Sequence, residues 1–335
     1  MTSHSRSYIY SLAVLPGPQV LVLRTHLQKR NNVLELWDLD SGKRLVETSV
    51  LEPLASLLAV GDGIAATSGR EGVVRLWSLP SVEPLGEVDL RVPLPKGTRA
   101  HGHENTVGSF AFLPGSRRAV ATKYNHISVW DLKTKRSLRE FGEDSYWSGS
   151  IAVLPGGRRL LTTGDRRLRL WDLGSGKCLR NLVEKGLPAF KQYLDAQDPQ
   201  SATDACVLGD GRRAVATYGD GRLRCWDLET GALLQKVQAA SGELAWLDCI
   251  AADGDRVLAG GFDRHLWLWT PGGEPVALEG HIGEITGLSF LPGGRAVSCS
   301  FDQTIRVWDL EKRACLRVLG TPRESSQWPP NESRY

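Results

Sequence analysis

The chain has 335 residues, 41% of them hydrophobic, enough to bury a large core in one to three domains. Its 41 lysines and arginines nearly balance 38 aspartates and glutamates, so nothing in the charge points to nucleic acid or an anionic membrane. No apolar run approaches the ~20 residues of a membrane-spanning helix, and no membrane insertion is expected.

From the N-terminus, residues 1–7 read as a tail. "YIYSLAVLPG" (8–17) has the look of a weak leader, but no small-residue cleavage site follows it. The same pattern returns at "IAVLPGG" (151–157) and "SFLPGG" (289–294), so it reads as the first strand of a repeating unit. A second pattern begins at "LELWDLDSGKRL" (34–45) and continues through "VRLWSLPSVEPL" (74–85) and "ISVWDLKTKRSL" (127–138). "LWDLGSGKCL" (170–179), "LRCWDLETGALL" (223–234), the looser "LWLWTPGGEPV" (266–276) and "IRVWDLEKRACL" (305–316) complete it. The aligned tryptophans Trp37, Trp77, Trp130, Trp171, Trp226, Trp269 and Trp308 recur every 39 to 55 residues. A period near 40 marks repeated supersecondary units.

Gly174-Ser175-Gly176-Lys177 raises the question of a phosphate-binding loop. That motif needs a glycine where Trp171 stands and a Ser or Thr where Cys178 stands, so the segment reads as a hairpin turn. Each unit holds four short strands, as in "EITGLSFL" (284–291), "AVSCS", "TIRVWDL" and "ACLRVL". A four-stranded sheet with two apolar faces cannot stand alone, and seven packed radially bury both faces. The expected fold is therefore all-β, a seven-bladed β-propeller of four-stranded antiparallel blades. The blades are placed at about 8–50, 51–90, 103–142, 147–184, 202–239, 243–279 and 281–320, with a flexible tail at 321–335. Blade seven owns a fourth strand around Leu316 to Leu319, with Leu316 in the core, so the ring is expected to close without an exchanged N-terminal strand.

A meander sorts its connections onto two rims. The second-to-third and inter-blade loops share one, and the long insertions 84–102 and 185–202 lie there. The segment 187–198 reads as a short helix starting at Pro188, with Phe190, Tyr193 and Leu194 on one face. Longer loops on one surface of a rigid scaffold mark a binding face, although both insertions also serve simply to bridge blades. The same rim carries Lys29, Arg30, Arg70, Lys123, Arg166, Arg167, Arg222 and Arg264, which would suit a partner with acidic or phosphorylated segments. Arg117, Arg118, Arg158, Arg159, Arg212 and Arg213 decorate the opposite rim equally well.

Catalysis finds little support. There is no Gly-x-Ser-x-Gly elbow and no His-Glu-x-x-His helix. "HGHE" (101–104) is a metal-like cluster with no second ligand group. No cofactor, metal or catalytic residue is expected. The six cysteines form no Cys-x-x-Cys pair and read as reduced, buried thiols of a cytoplasmic protein, a nuclear one remaining open.

The tryptophan-aspartate endings, present in five of the seven units, resemble the WD-repeat family over about residues 8–320. The resemblance implies a non-enzymatic scaffold for other proteins. It leaves open a ubiquitin-ligase substrate receptor, to which "WDLK" (130–133) is loosely similar, or an enzyme or small-ligand binder using the central channel. It also implies a buried network in blade seven of His281, Ser298, Asp302 and Trp308. Blade three keeps Gly102, His103 and Trp130 but has Tyr124 where Asp is expected, while Asp165, Asp220 and Asp263 stand without a histidine. By the same transfer Phe262, Phe301, Glu284 and Thr286 line the loop-rich rim as partner-binding residues, with Arg264, Arg70, Arg166, Arg167 and Arg222 beside them.

Overall fold

The computed structural model describes residues 7–26, 31–50, 57–68, 72–91, 106–123, 126–142, 149–164, 167–184 and 200–322. These hold 28 strands in seven four-stranded sheets, each an antiparallel meander in chain order. Blade one runs from Ser7 to Val50, blade two from Leu57 to Asp89, blade three from Val107 to Phe141 and blade four from Ile151 to Leu182. Blades five, six and seven run from Ala202 to Gln238, Leu247 to Leu278 and Ile285 to Leu319. The first strand of each blade packs on the first strands of its neighbours, and Ser7–Val14 of blade one meets Ile285–Leu291 of blade seven. The chain is a closed seven-bladed β-propeller.

The core is divided into seven layers, one between each pair of adjacent blades. This follows from the second strands, whose small apolar residues, such as Ala119–Ala121 and Ala214–Ala216, are buried on both faces. Each repeat tryptophan faces the blade before it. Trp226 packs among Leu161, Leu168 and Leu182 of blade four, and Trp308 packs with Leu258, Leu266 and Leu278 of blade six. Burying so large a side chain contributes the most that any single residue offers such a layer.

The aspartate after the tryptophan serves the turn that follows. Asp38 accepts the amide of Ser41 at 2.6 Å, Asp131 that of Thr134 at 2.8 Å, Asp172 that of Ser175 at 2.6 Å, Asp227 that of Thr230 at 2.7 Å and Asp309 that of Lys312 at 2.9 Å. Gly174–Lys177 is thus a turn, with Gly176 at φ +73°, and the amides of Ser175 and Gly176 are committed to the chain's own Asp172.

Blade seven supplies its own fourth strand, Ala314–Leu319. Leu316 is not core, however. In six blades one extra residue bulges out of the fourth strand opposite the tryptophan: Leu45, Leu85, Leu138, Leu179, Leu234 and Leu316. A bulge shifts the alternation of sides by one residue, which leaves Leu316 51% exposed and buries Leu319. The insertions at 92–105 and 185–199, with the helix expected at 187–198, lie outside the described residues.

Candidate functional site at the loop-rich rim

Blade seven contains a closed chain of hydrogen bonds on that rim. His281 Nδ1 lies 2.8 Å from Asp302 Oδ2 and its Nε2 2.7 Å from Ser298 Oγ, while Trp308 Nε1 donates to Ser298 Oγ at 2.8 Å. Thr304, which the sequence reading omits, donates its hydroxyl to Asp302 Oδ1 at 2.6 Å. The amides of Ile282 and Thr304 also reach the carboxylate, at 3.0 and 2.9 Å. Burial opposes ionisation of Asp302, but the His281 hydrogen bond and the other donors outweigh it and hold the carboxyl at about 2. Burial keeps the His281 pKa below its ordinary value. A neutral ring with its proton on Nδ1, receiving the Ser298 hydroxyl proton on Nε2, satisfies every member.

The other blades solve the same tryptophan N–H differently. Trp77 and Trp171 donate to Thr67 and Thr162, each at 3.0 Å. Trp130 uses Ser128 and Trp37 uses Glu35, a buried carboxylate that also binds Arg24 and Arg44. Trp269 reaches the Gly273 carbonyl. In blade five the place of Ser298 is taken by Ala216, and Trp226 Nε1 is buried without a hydrogen-bond partner among the described residues. Asp220 binds Arg222 at 3.1 Å and Arg224 through both oxygens at 3.2 and 2.8 Å, with the Arg224 guanidinium 3.8 Å over the Tyr218 ring. Asp263 receives Trp267 Nε1 at 2.6 Å, and burial raises its pKa. Gly102, His103, Tyr124, Asp165 and "HGHE" lie outside the described residues, among which no group of three metal-ligating side chains converges.

The expected binding residues separate into two places. Phe301, Glu284 and Thr286 are buried, Phe301 and Thr286 at the seam between blades seven and one. Phe301 packs on Tyr8 and Tyr10, with ring centroids 5.1 and 5.4 Å apart, and the Thr286 hydroxyl donates to the Ile9 carbonyl at 2.7 Å. They therefore do not line an exposed surface. Lys123 is likewise buried, its ammonium on the Leu90 carbonyl. Arg167 and Arg264 are exposed, Arg222 is engaged by Asp220, and Lys29, Arg30, Arg70 and Arg166 lie outside the described residues.

Phe262 stands elsewhere, half-buried beside a cleft between blades five and six. The inter-blade segment 239–246 clasps the Gly219–Gly221 turn, with the amides of Ala239 and Ala240 both donating to the Gly221 carbonyl at 3.0 Å. Trp246 lies so close to Gly219 that a Cβ there would sit 2.5 Å from its ring. The Phe262 amide donates to the Trp246 carbonyl at 2.9 Å. The cleft holds about 560 Å³ between Asp220, Gln238, Ser241, Glu243 and Trp246. Leu244, between Glu243 and Ala245 of the lining, is 46% exposed. Trp246 and Leu244 are absent from the sequence reading, although two large apolar residues in the inter-blade run Ser241–Trp246 are a readable signal.

Residues 137–172 and 273–309 match the family model described as WD domain, G-beta repeat. The sequence is 42% identical over 64 residues to the human Angio-associated migratory cell protein, 18% of this chain and 15% of that protein. It is 29% identical over 140 residues to the Nuclear distribution protein PAC1-2 of Uncinocarpus reesii, 34% of this chain and 30% of that protein. With the Pre-mRNA-processing factor 19 of Bos taurus it shares 32% identity over 76 residues, 22% of this chain and 15% of the other. The chain thus spans less than a third of the length of these relatives. Two segments of the chain thus carry the WD-domain repeat, its relatives are WD-repeat proteins, and its fold is a seven-bladed β-propeller.

Proposed function

We propose that this propeller is a non-enzymatic scaffold that holds a segment of another protein on its loop-rich rim, at the cleft between blades five and six. One observation carries the reading: exposed Leu244 and half-buried Trp246 lie on an inter-blade loop fixed by the neighbouring turn, and the backbone of Phe262 is hydrogen-bonded to that loop at the Trp246 carbonyl. Large apolar and aromatic side chains gathered on a rigid exposed surface are what protein interfaces use for affinity. Of the cations expected to meet an acidic or phosphorylated partner, Arg264 is exposed two residues beyond Phe262 and contributes orientation. The ligase-receptor alternative draws no support from Asp131, whose carboxylate is occupied by the amides of Lys133 and Thr134.

Affinity capture with the full chain, followed by titration of the purified partner, tests the proposal. Leu244→Asp with Phe262→Ser should lose the partner, whereas Arg117→Glu with Arg158→Glu on the opposite rim should keep it. Binding that follows the second pair and ignores the first overturns it.

A further inference from the structure

We infer that the cleft between blades five and six receives an arginine side chain of the partner, an assignment that rests on the reading above. The uncommitted groups in the cleft are acceptors. Glu243 makes no hydrogen bond or ion pair among the described residues, and neither does the Ser241 hydroxyl. Gln238 donates its Nε2 to the Asp220 carbonyl at 2.9 Å and to the Ala240 carbonyl at 2.5 Å, which leaves its side-chain oxygen as the accepting end. Asp220 is already occupied by Arg222 and Arg224. No lysine or arginine lines the cleft.

The wall adds a second requirement. Trp246 Nε1 donates to Asp248 Oδ1 at 2.6 Å, so a carboxylate charge sits at the edge of the indole and makes its face more attractive to a cation. A ligand must therefore bring positive charge, several donors and a flat surface. A guanidinium has five donors, no acceptor and a plane that stacks on aromatic rings. An ammonium lacks the plane, and a carboxylate or phosphate meets repulsion from Glu243. Leu244, exposed and next in the chain to Glu243 of the lining, calls for an apolar residue flanking the arginine.

The full chain labelled with 5-fluorotryptophan provides the test, its Trp246 fluorine resonance assigned with Trp246→Phe. The probes are the blocked peptide acetyl-Leu-Arg-Leu-amide and its lysine and citrulline counterparts. The arginine peptide should move the Trp246 resonance saturably, the citrulline peptide should not, and Glu243→Gln should weaken binding about fivefold. Equal responses to arginine and citrulline, or a resonance that none of the peptides moves, overturn the assignment. If capture still depends on Leu244 and Phe262 in that event, the rim reading stands without the arginine. If that dependence is also missing, both fall.

Discussion

Phe301 sets its ring 5.1 Å from that of Tyr8, joining the last blade to the first across the only seam not crossed by continuous chain. The contact sits above a shared apolar layer in which Ile9, Leu12 and Val22 meet Val297, Ile305 and Leu319. Phe301→Ala should therefore destabilise the ring by about 3–5 kcal/mol, the range for a buried phenylalanine. Thermal or denaturant unfolding reads the loss. A shift no larger than that of an exposed residue would mean the seam holds without the ring.

The hydrogen-bond chain of blade seven makes a separate prediction. Asp302→Ala strands the His281 Nδ1–H and the amides of Ile282 and Thr304 inside the protein. Each unsatisfied buried donor costs roughly 1–3 kcal/mol, so the variant should lose at least about 3 kcal/mol in the same melt. Asp263→Ala in blade six, where the carboxylate serves Trp267 and His265 at a part-exposed rim, should lose less.

Blade five offers a gain. Ala216 stands on the same face as Trp226, at the place from which Ser298 serves Trp308. Ala216→Ser should give the Trp226 N–H an acceptor and stabilise the fold by about 1 kcal/mol, the usual net worth of a hydrogen bond. A lower melting temperature would show that the added oxygen cannot reach the indole.

Acid acts on two carboxylates with opposite sign. Asp302 is held at about 2, below its ordinary 3.8, so its stabilisation is complete above pH 4 and is lost as the pH falls toward 2. Asp204, on the inner strand Ala202–Val207, is raised to about 6 by burial, although it accepts the amides of Ala205 and Ile250. Its contribution is complete below pH 3.8 and lost as the pH rises through 6. His281, kept neutral by burial, favours the fold above 6.5 and loses that advantage in acid. Melting curves from pH 3 to 7 should show Asp302→Asn least damaging at the acid end. Relative to the wild type, Asp204→Asn should gain steadily toward pH 7.

The two leucines of the last strand discriminate between register and simple alternation. Leu319→Ala should cost about 2–5 kcal/mol as a buried residue, whereas Leu316→Ala should stay within about 0.5 kcal/mol as a surface one. A reversal in chemical denaturation would contradict the bulge.

The repeat itself was legible because Trp37 through Trp308 mark one packing site copied seven times, and a site that recurs needs no tertiary information to be found. Leu316 was not legible in this way. Its alternation with Val318 looks regular in the sequence, and only the pairing of Trp308 with Cys315 shows the extra residue. The four network residues of blade seven could be placed by position, while Thr304 could not, since a threonine beside an aspartate has many uses. Transfer by position offered Phe301, Glu284 and Thr286 as rim residues but could not say that Tyr8 would pack on Phe301 or that Ile9 would accept the Thr286 hydroxyl. The cleft depends on Trp246 lying over Gly219, a meeting of two blades that neither local sequence announces.

The bulged leucines bear on what the outer edges of the blades offer to another chain. Every blade ends in an outer strand with one unpaired edge, and seven such edges offer templates for aggregation by strand addition. In six blades the bulge breaks the regular spacing of that edge at Leu45, Leu85, Leu138, Leu179, Leu234 and Leu316. The blade without the bulge, blade six, has an outer strand of only three residues, Val276–Leu278, too short to recruit an intruding strand.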